Sequence, residues 1–165
     1  REYFDLDLKY ELDKKDFLQR INAVLPPEVE VGRAAKIPGT APSLMKIINS
    51  AAYVLVSRSD DFDIKGFFAE LLSRESLKVK SRGKKKNLDK ELRSGIYKIE
   101  IEAQKLKNLV RLWVALGEPL NVRYDELLDL LEANGFDMRL ILDIYRSGNY
   151  IYQYGAFFSP LEMVD

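Results

Sequence analysis

Hydrophobic and polar positions alternate every second residue in several short segments of the chain, which is the pattern of a half-buried β-strand. In residues 3–10, for example, Phe4, Leu6 and Leu8 alternate with Asp5 and Asp7. The strands predicted in this way cover residues 3–10, 29–34, 52–57, 77–81, 96–101, 109–116 and 138–144.

Other segments place apolar residues three and four positions apart, which predicts amphipathic helices. Asp13 and residues 60–63 are placed to cap two of them, and Gly135 ends the last one as a C′ glycine. Asn108 is predicted to turn the chain between two strands of a hairpin. The predicted helices cover residues 13–25, 40–51, 63–72 and 124–134.

The order of these elements predicts the fold class, which is α+β. Residues 53–144 run strand, helix, strand, strand, strand, helix, strand, which is a ferredoxin-like βαββαβ unit with one extra strand. The preceding strand, helix and strand match half of a second ferredoxin-like unit. We therefore predict three regions: the C-terminal half of a first unit at residues 1–38, a connecting helix at 39–52, and a second ferredoxin-like domain at 53–165. Because the chain enters a strand pattern directly after Arg1, we expect residues before Arg1 to have been removed.

Composition restricts the chemistry that the chain can perform. It contains no cysteine and no histidine, so thiolate nucleophiles, thiolate zinc sites and a histidine base are excluded. We assign no catalytic residue, no metal ligand and no cofactor to this chain, and we expect a protein that is not an enzyme. Asp5 and Asp7, on one face of the first predicted strand, are a carboxylate pair for acid–base work or a hard cation, or solvent-facing residues.

Charge and hydropathy limit the partners and the compartment. The chain has 26 basic and 26 acidic residues, so only a local patch can attract a polyanion. The longest apolar runs are too short to span a bilayer, and we expect no signal peptide. We expect a cytoplasmic protein without a membrane partner.

The strongest local patch is a basic segment in and after the strand at residues 77–81. A surface of this kind neutralises phosphates and makes RNA a candidate partner. The alternative is a solvated edge strand whose lysines prevent edge-to-edge aggregation. The candidate nucleic-acid-binding residues are Lys78, Lys80, Arg82, Lys84, Lys85, Lys86 and Arg93.

An aromatic tail follows the last predicted strand. If the tail is extended, Tyr150, Tyr152 and Tyr154 project from one face and can stack bases. The alternatives are a tail folded over the sheet and an interface with a protein partner. The candidate partner-binding residues are Tyr150, Tyr152, Tyr154, Phe157 and Phe158. Just before the tail, residues 146–150 are predicted to form a turn, in which Ser147 and Gly148 are a weaker candidate for anion binding.

Two segments carry a resemblance to a known family. The first is Ala-Lys-Ile-Pro-Gly-Thr-Ala-Pro-Ser-Leu-Met at residues 35–45, followed by Asn-Ser-Ala-Ala-Tyr at residues 49–53. The second is Arg-x-Gly-x-Tyr, formed by Arg146, Gly148 and Tyr150. Together they resemble the uncharacterised, bacterial radical-SAM-linked protein family, and Ala41, Pro42, Ser43 and Leu44 are the most specific part of the resemblance.

The resemblance implies a partner and a longer first unit. Members of that family are encoded beside, or fused to, a radical SAM protein, and they carry a further strand, helix and strand before the position of Tyr3. The iron–sulfur cluster and S-adenosylmethionine would then belong to the partner. We expect a non-catalytic accessory protein that presents an RNA substrate to the radical SAM protein through the basic segment. The alternative is an interaction module that binds only the radical SAM protein.

Overall fold

The structure is a computed structural model that describes residues 2–59, 62–83 and 88–163. Within these residues the α-helices are α1 (Lys14–Asn22), α2 (Leu44–Ile47), α3 (Ile64–Ser73) and α4 (Tyr124–Ala133). The β-strands are β1 (Ser50–Arg58), β2 (Lys78–Lys80), β3 (Asp89–Glu91), β4 (Ile96–Ala103), β5 (Lys107–Ala115), β6 (Ile141–Gln153) and β7 (Ala156–Phe158). Short 3₁₀ turns occupy Arg93–Gly95, Met138–Leu140 and Pro160–Met163.

Five strands form one sheet in the order β4-β5-β1-β6-β7, and each neighbouring pair is antiparallel. Strands β2 and β3 pair separately as a two-stranded sheet. This mixed architecture is compatible with a ferredoxin-like α+β fold, so the predicted fold class is confirmed. Strand β1 lies at the centre because both β5 and β6 pair with it.

The hydrophobic core lies between the sheet and two helices. Alternate residues of β1, namely Ala51, Tyr53 and Leu55, point into it and are at most 8% exposed. Because side chains alternate along a strand, the neighbouring residues of β1 point to the other face. Helices α3 and α4 contribute buried residues to the same core, among them Ile64, Phe68, Leu71, Leu127, Leu130 and Leu131.

The helix ends form as their sequences predict. The Asp13 side chain accepts a hydrogen bond from the backbone nitrogen of Lys15 at the start of α1. Asp63 does the same for Gly66 at the start of α3, at 2.9 Å. Gly135 follows the C-cap residue of α4, Asn134, and has a φ of +87°, which is the left-handed conformation expected of a C′ glycine.

The two strands predicted near the start of the chain are wrong. Residues 2–8 and 29–34 contain no strand in the structure, and Phe4, Leu6 and Leu8 are 49–55% exposed. A strand needs a neighbouring strand for its backbone hydrogen bonds, and alternation in the sequence does not supply one. The assignment of residues 1–38 to half of a second ferredoxin-like unit stays a prediction.

Two predicted turns are also wrong. Asn108 lies inside β5, paired with Ser57, and its side-chain amide donates to the carbonyl of Arg58 at 3.2 Å. Residues 146–150 lie inside β6, which has a register shift opposite Ala52 and Tyr53. The extra residue forms a β-bulge, which uses the same glycine and small polar residues as a turn.

Candidate functional site

The basic segment lies on β2 and the residues after it. Lys78 and Lys80 are exposed on one face of β2 and Val79 is buried on the other, so the predicted alternation is confirmed. Lys84, Lys85 and Lys86 lie outside the described residues.

Among the described cations of the basic segment, Lys80 and Arg82 have carboxylate partners that reduce its positive potential. Lys80 forms an ion pair with Asp89, and Arg82 donates two hydrogen bonds of 2.8 Å to the Asp129 carboxylate. The Arg93 guanidinium donates to the carbonyls of Leu72 and Arg74. Because ion pairs cancel most of the field at a distance, the described part of the segment attracts a polyanion less strongly than its sequence suggests.

A buried carboxylate ties the basic segment to α4. Glu126 is 0% exposed, and its side chain accepts hydrogen bonds from Lys90 Nζ at 2.6 Å and from the backbone nitrogens of Arg82 and Arg123. Lys90 also donates to the carbonyl of Asn121. A buried charge is tolerated only with this kind of pairing, so the Glu126–Lys90 pair has a structural role.

The other face of the five-stranded sheet carries an aromatic cluster. The aromatic cluster consists of Tyr97, Trp113, Tyr150, Tyr152 and Phe157. The Tyr97 and Tyr152 rings stack with centroids 4.2 Å apart, and the Trp113 and Phe157 centroids are also 4.2 Å apart. Tyr97 is 36% exposed and the other four residues are half-buried, so the cluster forms part of the protein surface.

Small residues on the central strands leave room for the aromatic rings. Ala52 of β1 is paired with Trp113 on one side and with Gly148 on the other. Since neither Ala52 nor Gly148 has a bulky side chain, the Tyr150 ring lies over Gly148 and its centroid is 4.8 Å from that of Trp113. This gives Gly148 and Tyr150 of the Arg-x-Gly-x-Tyr element a defined packing role.

A charged group borders the aromatic cluster. The Trp113 indole nitrogen donates to Glu100 at 3.0 Å, and Lys98 Nζ lies 2.7 Å from the other oxygen of the same carboxylate. These hydrogen bonds, first from Lys98 and then from Trp113, lower the pKa of Glu100 below its usual value. Glu100 therefore stays ionised and holds the indole in one orientation.

A shallow cleft adjoins this group on the same face. Its volume is about 230 Å³, and Val54, Leu109, Arg111 and Tyr145 are among the residues that line it. Pockets for small organic ligands are usually about 300–1,000 Å³ and enclose most of the ligand. The cleft is therefore smaller than a typical pocket for a small organic ligand.

The aromatic tail does not act as one unit. Tyr150, Tyr152 and Phe157 join the aromatic cluster, whereas Tyr154 is 95% exposed in the turn between β6 and β7, with a φ of 51°. The prediction that three tyrosines share one face is therefore wrong for Tyr154, because a two-residue hairpin turn needs a positive φ there. Phe158 pairs with Ile151, one position out of step with the Phe157–Tyr152 pair, and points to the other face of the sheet.

The Arg-x-Gly-x-Tyr element also contacts the segment before α1. Two nitrogens of Arg146 lie 2.9 and 3.1 Å from one carboxylate oxygen of Glu2, and the Asn149 amide donates to the other oxygen at 3.0 Å. Tyr53 lies nearby; burial raises the pKa of its hydroxyl, and the positive charges of Arg146 and Arg123 act in the opposite direction.

The Ala-Pro-Ser-Leu residues form the start of α2. Ala41 donates a backbone hydrogen bond to the carbonyl of Pro38, and Ser43 is the N-cap of α2 but makes no side-chain capping bond. The Asp5 carboxylate supplies that bond instead, accepting from the backbone nitrogen of Leu44 at 2.8 Å. Asp5 thus has a capping partner, although both Asp5 and Asp7 are exposed.

The described residues lack a cluster of metal ligands and a membrane-spanning helix. They contain no group of three or more acidic residues arranged to hold a metal ion. Each of their helices is too short or too polar to cross a lipid bilayer.

Sequence reasoning missed Trp113, Tyr97, Glu126 and Glu2 as contributors to these surfaces. Trp113 had a usable signal, since it alternates with Leu112 and Val114 and must point away from the core. Glu126 also had one, because an acidic residue three positions after an N-cap typically forms a capping box. For Glu2 no local signal exists, since its partners lie more than 140 residues away.

The comparisons with known proteins identify a family. A protein-family model described as "Uncharacterized protein conserved in bacteria (DUF2344)" matches residues 1–123. Among curated proteins and solved structures, nothing matches the chain.

Proposed function

The chain belongs to the bacterial DUF2344 family. We propose that it is a non-catalytic accessory protein that binds a radical SAM partner. The aromatic cluster would be the contact surface. The resemblance of Ala41–Leu44 and of Arg146, Gly148 and Tyr150 to the radical-SAM-linked family supports the choice of partner. The lack of cysteine and histidine in the sequence supports a division of labour in which the partner holds the iron–sulfur cluster and S-adenosylmethionine.

The observation that carries the proposal is the position of the aromatic cluster on the sheet face opposite the helices. Aromatic side chains bury large areas and are enriched at protein interfaces. Trp113 and Tyr150 are also oriented in advance, by Glu100 and by packing over Gly148. Side chains that are already ordered lose less entropy on binding.

The ring geometry favours a protein over RNA at this surface. Single-stranded RNA stacks its bases on the exposed faces of aromatic rings. Here the faces of Tyr97 and Tyr152 are stacked on each other, and the ring of Phe157 lies against Trp113. A base could therefore stack only on the outer faces of these pairs, whereas a protein side chain can also pack on the ring edges.

RNA presentation is the second candidate, and a separate surface favours it. Lys78 and Lys80 are exposed side by side on β2, and three further lysines follow at positions 84–86. Because Lys80 is paired with Asp89, Lys78 and the three following lysines would neutralise most of the phosphates and give a salt-dependent affinity.

Co-purification with a co-expressed radical SAM protein from the same genome tests the first candidate. Replacing Tyr152 and Phe157 together by serine should reduce the amount of bound partner at least tenfold. Tyr154→Ser is the matched control, because Tyr154 is 95% exposed, and it should leave binding unchanged. Full partner binding by the double variant would refute docking through the aromatic cluster.

Anisotropy titration against total tRNA at two salt concentrations tests the second candidate. Changing Lys84, Lys85 and Lys86 to glutamate should weaken binding and flatten its salt dependence. If the triple variant loses tRNA and keeps the partner protein, while the aromatic variant does the reverse, the chain has both activities on separate surfaces. Equal tRNA binding by the parent chain and the triple variant would refute RNA presentation through the lysines.

A further inference from the structure

The carboxylate of Glu2 is held by a set of donors that belongs to the sheet. Arg146 gives two hydrogen bonds to one oxygen and the Asn149 amide gives one to the other. Proteins commonly recognise a carboxylate through charge-assisted hydrogen bonds from an arginine. Here the arginine bonds one oxygen and a neutral amide bonds the other.

The donor side of this contact is rigid. Asn149 is 8% exposed and pairs with Ala51 of the central strand, and Arg146 pairs with Tyr53 on the far side of the bulge. The Oδ1 atom of Asn149 is buried and has no hydrogen-bond partner among the described residues. A buried oxygen without a hydrogen-bond partner is energetically costly. The hydrogen bond that the Asn149 amide nitrogen donates to Glu2 is what this side chain gains in return.

The occupant side, in contrast, is weakly held. Residues 2–13 of the described chain contain neither helix nor strand, and the apolar side chains that follow Glu2 are about half exposed. The Glu2 side chain is 63% exposed and that of Arg146 is 38% exposed. Water therefore screens the ion pair, and the ordering of the segment opposes it.

The charged groups around the site favour the binding of an anion next to Arg146. Arg123 is neutralised by Asp125, with two hydrogen bonds of 2.9 Å. The neighbouring Tyr53 hydroxyl is uncharged, because burial raises its pKa. When Glu2 leaves, Arg146 is the residue whose charge is no longer compensated.

We propose that Arg146 and Asn149 form a carboxylate-binding site for an acidic side chain of a protein partner, and that Glu2 is its exchangeable intramolecular occupant. The site goes beyond the proposed docking surface, since Arg146 and Asn149 pair with core-facing residues of β1 whereas Tyr150 joins the aromatic cluster. A partner that contacts both surfaces would pack against the aromatic cluster on one face of the sheet and form an ion pair with Arg146 on the other.

A titration with a small carboxylate tests this inference without any partner protein. The probe is N-acetyl-glutamate α-amide, and the neutral control is N-acetyl-glutamine amide. Binding is followed by NMR at the Asn149 side-chain amide and the Arg146 Nε–H. Because a tethered group competes at an effective concentration of about a millimolar or more, the Glu2→Gln variant should bind the glutamate probe at least tenfold more tightly than the parent chain.

The variants separate carboxylate recognition from a structural ion pair. Glu2→Gln combined with Arg146→Gln should lose the response to the probe, and Glu11→Gln, which removes a different exposed ion pair, should behave like the parent chain. Glu2→Asp, which keeps the charge on a shorter side chain, should give an intermediate affinity and provides a second test if Glu2→Gln disturbs the fold.

Three results would overturn the proposal. They are equal affinity for the glutamate probe in the parent chain and in Glu2→Gln, an equal response to the glutamine control, and tighter binding of inorganic phosphate than of the glutamate probe. Since the radical SAM protein takes no part, failure here leaves the docking proposal intact.

Discussion

The ring of Tyr150 lies so close over Gly148 that a Cβ on Gly148 would stand 3.0 Å from two of its atoms. Real Cβ contacts are seldom this short, so any side chain at position 148 must displace the tyrosine. The same ring contacts Trp113, so the size of the residue at position 148 affects the packing of the aromatic cluster.

Gly148→Ala should move Tyr150 away from Trp113 and destabilise the fold by about 1–2 kcal/mol through overpacking. Trp113 is the single tryptophan of the chain, so its fluorescence reports directly on the cluster. We expect a red-shifted emission and a lower midpoint of urea unfolding. Gly39→Ala is the control, because nothing lies within 4 Å of a Cβ there. An unchanged Trp113 spectrum in Gly148→Ala would contradict the packing described.

Glu126→Gln should be much more damaging than the loss of an exposed carboxylate. It leaves the mostly buried Lys90 without its counter-charge, which costs about 3 kcal/mol or more in a buried pair. Asp129→Asn, which breaks the exposed ion pair with Arg82, should cost less than about 1 kcal/mol. Urea unfolding measures both, and similar losses for the two variants would argue against a structural role for Glu126.

Acid titration of Trp113 fluorescence should report the ionisation of Glu100. Hydrogen bonds from Lys98 and Trp113 lower the pKa of Glu100, so the fluorescence change should have its midpoint below the usual glutamate value of 4.5. Lys98→Met should raise that midpoint, because it removes the largest cause of the shift. A midpoint that does not respond to Lys98→Met would mean that another group controls the indole.

Asp137 should titrate at a low pH. Hydrogen bonds from the Arg139 side chain and backbone lower the pKa of Asp137 from 3.8 to about 2. Because the folded pKa is below the unfolded one, the stabilising contribution is fully present above about pH 4 and is lost as the pH falls towards 2. NMR titration of the Asp137 carboxyl measures this, and Arg139→Gln should raise the midpoint. A midpoint near 3.8 in the parent chain would contradict the contact.

Local signals in the sequence predicted three of the helices well, whereas the helix expected at residues 40–51 is limited to Leu44–Ile47 and the last two residues of that range belong to β1. Helices α1, α3 and α4 follow from apolar spacing and from Asp13, Asp63 and Gly135, because a helix makes its hydrogen bonds within its own segment. The central strand β1 was also predicted, since a strand buried on both faces reads as a continuous apolar run.

Pairing between distant segments was not predictable in the same way. Residues 3–10 alternate as well as any strand, yet they have no strand neighbour in the described structure. Residues 146–150 have the composition of a turn, yet they continue β6 as a bulge because β1 supplies their hydrogen bonds. In both cases the outcome depends on a partner far along the chain.

The sites show the same division. The amino-acid sequence was sufficient to exclude cysteine and histidine chemistry, to establish the α+β class and to point to the aromatic tail. Tertiary structure placed Trp113 and Tyr97 beside Tyr152, neutralised Arg82 and Lys80 with carboxylates, and brought Glu2 to Arg146. The reason is physical: residue chemistry and helix periodicity are local, whereas strand register decides which distant side chains share a face.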